Sequence, residues 1–339
     1  MKTIIQLLAE ELGCKEEYVN NVVTLLDEGN TIPFIARYRK EAHGAMDDTA
    51  LRTLETRLQY LRNLQQRRDE VKASIEAQGK LTDELARSID NAATLAEVED
   101  LYRPYKQKRR TRATVAKEKG LEPLADAIFA QDRNGKAPEE LAKDFLNPDL
   151  GVETIEDALS GASDILAEDF SDDAAIRARE KALIRRKGAL RSRAAKEGDS
   201  VYRQYADFSE PIRLTQSHRV LAINRGEKEE WLKVSIEVDE AEARAEIAAQ
   251  VLVPGGNYRE FLENTIEDAW TRLLFPSLER EIRAELTDRA NEQAIRMFAQ
   301  NLKPLLMQPP LHGRVTLGFD PAYRTGCKLA VVDETGKVL

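Results

Sequence analysis

A chain of 339 residues with 33% charged and only 6% aromatic side chains has room for roughly two or three domains and the composition of long solvated helices, not of an aromatic-rich sheet protein. Its net charge of −9 excludes a protein that wraps nucleic acid over its whole surface, yet leaves room for local basic patches, because phosphates are met by clusters and not by averages. No run of about 18 apolar residues occurs, and Met1-Lys2-Thr3-Ile4-Ile5 leads straight into an amphipathic pattern, so a soluble cytoplasmic protein is expected. Cys14 and Cys327 lack CxxC spacing and indicate neither a disulfide framework nor a zinc site.

Apolar residues recur at helical spacing over Thr3 to Leu12 and Lys15 to Glu28, with Gly13 and Gly29 as stops. Thr31-Ile-Pro-Phe-Ile-Ala-Arg-Tyr-Arg-Lys40 carries a proline suited to a first helical turn and ends in Arg37, Arg39 and Lys40, a short helix with a basic face. From Asp47 to about Gln78 no helix breaker occurs, and Leu51, Leu54, Leu58 and Leu61 keep the spacing of a coiled-coil seam. That predicts a helix of roughly 45 Å. Leu81 to Ala92 is a further short helix, and Thr94-Leu-Ala-Glu97 has the form of a capping box that opens a helix running to about Leu101.

Tyr102 to Lys119 gathers eight Lys or Arg against the single Glu118 and opens with Tyr102 and Tyr105. Such clustering creates a positive field suited to phosphates: Lys106, Lys108, Arg109, Arg110 and Arg112 as contacts, Tyr102 or Tyr105 stacked on an exposed base. A solvated loop that pairs with the acidic remainder of the chain is the plainer reading.

Leu121 to Ala130, Pro138 to Leu146 and Val152 to Phe170 continue the helical pattern. Asp164, Glu168, Asp169, Asp172 and Asp173 then precede nine cations between Arg177 and Lys196, which reads as an internally compensated helix pair. Ser217 to Arg225 is a helix ended by Gly226, Leu232 to Val238 alternates like a strand, Glu240 to Val251 is helical, and Pro254-Gly-Gly256 is a break. From Asn257 the pattern stays helical to Leu306, interrupted only at Pro276, with an apolar stripe from Leu278 to Leu302.

The last stretch reads strand, loop, strand: Val315 to Phe319 and Lys328 to Val332. Two strands alone are marginal, so the sequence is expected to be the front part of a longer protein. Asp320, followed by Pro321, stands at the first strand's tip, where a carboxylate can ligate Mg²⁺ as one member of a two-metal centre whose other carboxylates come from later strands. The Gly-Phe-Asp-Pro opening equally suits a phosphate-binding turn or a tight turn without activity. His43, His218 and His312 lack metal-ligand spacing and read as ordinary surface histidines; no Walker loop or Gly-x-Ser-x-Gly elbow occurs.

Five stretches together carry a resemblance: Thr31 to Lys40, Asp100-Leu-Tyr-Arg-Pro-Tyr-Lys-Gln-Lys-Arg-Arg-Thr-Arg-Ala-Thr114, Ser217-His-Arg-Val-Leu-Ala-Ile-Asn-Arg-Gly226, Asn301-Leu-Lys303, and Leu317-Gly-Phe-Asp-Pro through Arg324-Thr-Gly-Cys-Lys-Leu-Ala-Val-Val-Asp333. The chain resembles the Tex family of bacterial transcription accessory proteins over effectively its whole length, and is similar in architecture to the core of eukaryotic elongation factors of the Spt family. The resemblance implies a mainly α protein: a multi-helix N-terminal assembly with helix-turn-helix character, a long central helix, then the first strands of a ribonuclease-H-like, YqgF-type α/β domain. In the family, helix-hairpin-helix modules and an OB-fold RNA-binding domain follow. The expected division is 1–200 helical, 201–256 small and mixed, 257–310 long central helices, and 311–339 the start of the YqgF-type domain. Asp320 matches the family's first-strand aspartate, a metal ligand in active ribonuclease-H-like nucleases, though the family is not generally regarded as nucleolytic.

The expected function is therefore the N-terminal scaffold of a non-enzymatic RNA- or DNA-binding transcription accessory factor, without cofactor or metal, with nucleic acid expected to be met mainly through the domains that follow in the family. Two alternatives stand beside it: a structure-selective nuclease of the resolvase type using Asp320 and Mg²⁺, and a scaffold that docks an acidic component of the transcription or translation machinery.

Overall fold

Capping chemistry sets the first helix. The Thr3 hydroxyl accepts from the Gln6 N–H while the Gln6 side chain accepts from the Thr3 N–H, and Gly13, in the left-handed region, closes α1 (Ile4–Leu12). α2 (Glu16–Asp27), α3 (Ile32–Tyr38) and α4 (Asp48–Glu76) follow, α3 with Pro33 in its first turn and α4 with the Asp47 carboxylate accepting from the Ala50 N–H. This is a computed structural model that describes residues 2–106, 110–133, 135–309, 311, 313–322 and 326–339. The leucine seam of α4 is buried as predicted, but it packs α1, α2 and α3: Leu51 and Leu54 share a core with Leu8, Val19, Val22, Ile32 and Ile35. The far half of α4 packs Leu64, Val71 and Ile75 against α5 (Asp83–Asn91) and α6 (Leu95–Tyr102). Thr94 caps α6, and the Glu97 carboxylate reaches back to the Ala93 N–H.

The chain divides into two units, Met1–Arg186 with Val238–Leu278, and Lys187–Glu237 with Glu279–Leu339. In the first, α7 (Arg112–Glu118), α8 (Glu122–Phe129) and the short α9 (Pro138–Ala142) pack around α10 (Ile155–Asp172), which buries Ala158, Ala162, Ile165, Leu166 and Phe170. Gly161 permits the close approach of α7: a Cβ there would lie 2.3 Å from Leu121 Cδ1 and 3.3 Å from Ala116 Cβ. α11 (Ala174–Lys187) closes this run of helices.

The second unit corrects the sequence reading of the charged stretch. Ala189–Ala194 is not helical but the central strand β1, antiparallel to both β2 (Asp207–Pro211) and β3 (Leu232–Glu237), in the order β2-β1-β3. Leu190 and Ser192 face inward, while outward Arg191 and Arg193 meet Asp207 at 2.6 Å and Glu237 at 2.9 Å. Compensation of the cations is long-range: Arg177 and Lys181 reach Asp100, Arg186 faces Glu246 and Lys196 reaches Glu230. α12 (Ser217–Lys228) runs through Gly226, which does not end it. The glycine is needed for packing, since a Cβ would sit 2.6 Å from Leu232 Cδ1.

α13 (Glu240–Val251) and α14 (Arg259–Asp268) return to the first unit. No interruption occurs at Pro276. A π-helical turn, Ala269–Leu274, precedes α15 (Phe275–Leu306), and its wider winding spans the carbonyl at Arg272 that the proline ring would otherwise meet. The apolar stripe of α15 is buried from Leu278 through Ala290 but leaves Phe298 67% exposed. β4 (Thr316–Asp320) and β5 (Lys328–Val332) form an antiparallel pair with Leu317, Phe319 and Leu329 exposed. The architecture is mainly α, as expected, with small antiparallel sheets. Among the described residues no helix is long and apolar enough to cross a membrane.

One histidine departs from expectation. His43 is buried, with both ring nitrogens unpartnered among the described residues, held in a turn against α2, where Asn21 Nδ2 donates to the Ala42 carbonyl. The adjacent Gly44 at φ +57° leaves no room for a Cβ against the Tyr18 ring. His218 is exposed, and His312 lies outside the described residues.

Candidate nucleic-acid interface

The Asp100-Leu-Tyr-Arg-Pro-Tyr-Lys-Gln-Lys-Arg-Arg-Thr-Arg112 segment splits into two halves of different physical character. Asp100 to Tyr105 is an anchor. Asp100 accepts from Arg177 Nε at 2.8 Å and from Lys181 Nζ at 3.1 Å, and neither cation reaches solvent appreciably. The Tyr102 hydroxyl lies 3.0 Å from Ser74 Oγ, with the Arg67 guanidinium 5.5 Å from its ring centre. Arg103 donates to Asp172 and to Ser277, both at 3.1 Å. Pro104 sits in a short 3₁₀ turn, Arg103–Tyr105, and the Tyr105 carbonyl accepts from Gln78 at 2.9 Å. Both tyrosine rings are half-buried against the core of α4, α5 and α6, so each has one side already occupied.

In the other half the described cations, Lys106, Arg110 and Arg112, are exposed. Lys106 leaves the 3₁₀ turn in extended conformation and meets no anion among the described residues. Lys108 and Arg109 lie outside the described residues. Arg110, its side chain 70% exposed, pairs with Glu118 at 2.8 Å, a contact worth little in stability because water screens it. Thr111 caps α7 by accepting from the Thr114 N–H, which places Arg112 exposed in the first helical turn. Arg110, Arg112 and Lys119 line a groove of about 560 Å³ whose opposite wall is Asp157, Ser160, Gly161 and Asp164 of α10. Burial pushes the Asp164 carboxyl up, while Arg272 and then Arg112 draw it back. The Asp157 carboxyl is held low by the Thr154 hydroxyl and backbone. The groove therefore carries both signs of charge, and the field available to an anion comes from Arg110 and Arg112 at its edge.

The structure thus brings Tyr102, Tyr105, Lys106, Arg110 and Arg112 together on one anchored segment. Sequence reasoning missed the anchor itself. Asp100 and Arg177 are 77 residues apart, and no local spacing signals their pairing. Asp320 stands apart from these residues in the chain, exposed at the end of β4 and in register with Lys328. Among the described residues no group of three or more His, Cys, Asp or Glu could hold a metal ion.

A mainly helical chain that ends in a strand pair is the architecture that the sequence resemblance implied, and the comparisons agree with it. Three family descriptions match in order: Tex-like protein N-terminal domain over residues 2–76, Tex central region-like over 133–298, and Tex protein YqgF-like domain over 314–339. The chain belongs to the Tex family. It is 49% identical over 98% of its length to the uncharacterized protein YdcI of Bacillus subtilis, covering 47% of that protein. It is 40% identical over 99% of its length to the transcriptional accessory protein Tex of Neisseria gonorrhoeae, covering 45%, and 31% identical over 99% to the human S1 RNA-binding domain-containing protein 1, covering 35%. The chain spans about half the length of its bacterial relatives or less.

Proposed function

We propose that this chain is the N-terminal scaffold of a nucleic-acid-binding transcription accessory factor, acting without catalysis of its own, with Lys106, Lys108, Arg109, Arg110 and Arg112 as phosphate contacts. The observation that carries the reading is the division of the basic segment. Its base at Asp100 to Tyr105 is pinned by ion pairs, which fixes where the exposed Lys106 leaves it, and the Thr111 cap fixes Arg112 in the first turn of α7 beside Arg110. Cations placed in advance lose less entropy on meeting a phosphate backbone than cations on a free loop. Tyr102 and Tyr105 serve this by holding the base of the segment, with their open ring edges left for an adjacent nucleotide. The names of two relatives, a transcriptional accessory protein and an S1 RNA-binding domain-containing protein, support nucleic acid as the partner.

The test is a titration of fluorescently labelled single-stranded RNA and duplex DNA with the chain at low and physiological salt. Binding that weakens steeply with salt supports the reading. Absence of binding, together with capture of a polyglutamate peptide, would favour an acidic protein partner.

A further inference from the structure

α3 presents a second surface that the basic segment does not explain. Its inner residues Ile32 and Ile35 are fully enclosed in the core with α1, α2 and α4, and Pro33 fixes its first turn, so its outer face is held rigidly. That outer face carries Phe34, 38% exposed, and Tyr38, 61% exposed, four residues apart on one side of the helix. Their rings lie 5.3 Å apart between centres and are tilted by 47°. Among the described residues this is the one ring pair in which both members are exposed. Arg39 lies 5.9 Å from the Phe34 ring centre and Arg37 6.0 Å from that of Tyr38, with Lys40 next in the chain. All three cations are exposed, and none has an ion-pair partner among the described residues. Leaving two aromatic rings in water forfeits the burial that such rings ordinarily gain. Three uncompensated cations around them add a field for an anion.

We propose that Phe34 and Tyr38, with Arg37, Arg39 and Lys40, form a stacking platform for single-stranded nucleic acid. The chemistry selects this occupant. The rings offer flat apolar faces to unstacked bases, and the cations meet the phosphates that flank them, whereas a duplex hides its base faces and an acidic peptide brings carboxylates without planar groups. The proposal rests on nucleic acid being the partner and adds a second, base-reading contact to the phosphate contacts at 106–112.

The test uses the 339-residue chain, a labelled single-stranded RNA, and a strand with the same phosphates but abasic residues. The chain is expected to bind the base-bearing strand roughly tenfold or more tightly than the abasic one, and Phe34→Ala with Tyr38→Ala to bring that ratio close to one without altering the salt slope. Arg37→Gln with Arg39→Gln and Lys40→Gln should instead flatten the salt dependence by about 2 in the log–log slope while keeping a preference for bases. All five positions are exposed, so circular dichroism of each variant should match the parent. A ratio unchanged by the ring substitutions would overturn the platform, and if charge reversal at 106–112 then abolishes binding, the proposed function stands without it. A chain that binds neither strand overturns both. A polyglutamate peptide that binds in a ring-dependent way would assign the surface to a protein partner.

Discussion

Arg177 is wholly enclosed, and its guanidinium meets the Asp100 carboxylate at 2.8 Å while Lys181 takes the other oxygen at 3.1 Å. Two buried cations thus share one acid at the start of the segment that carries the proposed phosphate contacts. Removing that acid takes a carboxylate away from two enclosed cations. Asp100→Ala is expected to cost about 3–5 kcal/mol, read as a fall in the urea midpoint of the chain. Arg177→Met added to Asp100→Ala should recover part of it. An additive double variant would mean that the two side chains do not act as a pair.

Glu180 gives a prediction in pH. Its carboxylate is fully enclosed and has no hydrogen-bond partner among the described residues, and burial, with Glu246 and Glu242 of α13 nearby, pushes its pKa up to about 8 from 4.5. Across that window the folded protein keeps a proton that the unfolded chain has released, so stability falls as pH rises and the full cost is reached above about pH 8. Glu180→Gln should flatten this fall and leave the variant more stable than the parent on the alkaline side. Unfolding curves at several pH values that keep the same slope in both proteins would contradict it.

Asp320 tests the non-enzymatic part of the account. An exposed aspartate at the end of β4 holds little of the fold together, and Asp320→Asn should change stability by no more than about 0.5 kcal/mol. Incubated with branched DNA and RNA in Mg²⁺ or Mn²⁺, parent and variant should both leave the substrates intact. Cleavage by the parent that the variant loses would favour the nuclease alternative, because a two-metal centre fails when one ligand is removed.

Most of the helical organisation was legible because its signals are local. Thr3 with Gln6, Asp47, and Thr94 with Glu97 announce helix starts within four residues, and the leucines from Leu51 to Leu61 announce which face is buried. β1 was hidden because Ala189-Leu-Arg-Ser-Arg-Ala194 shows its alternation through only two inward residues, and its arginines find their partners on other strands, 16 and 44 residues away. Gly226 read as a helix stop because sequence cannot show Leu232 pressing against it. The candidate site was legible as charge but not as architecture. Nothing near Tyr102 in sequence reveals Ser74, and nothing near Arg103 reveals Asp172 or Ser277. Phe34 and Tyr38 carried a usable signal, two aromatics at i,i+4 on a helix whose isoleucines are Ile32 and Ile35, but their exposure required the fold.

Whether the cations at 106–112 meet phosphates is read from the salt dependence of single-stranded RNA binding. Each cation that releases a counter-ion contributes about 0.7 to the log–log slope. Replacing Lys106, Lys108, Arg109, Arg110 and Arg112 by Glu should therefore weaken binding at low salt and flatten the slope by about 3.5, with the thermal unfolding of the chain unchanged. An affinity and slope equal to those of the parent would contradict the account and return the segment to a solvated loop.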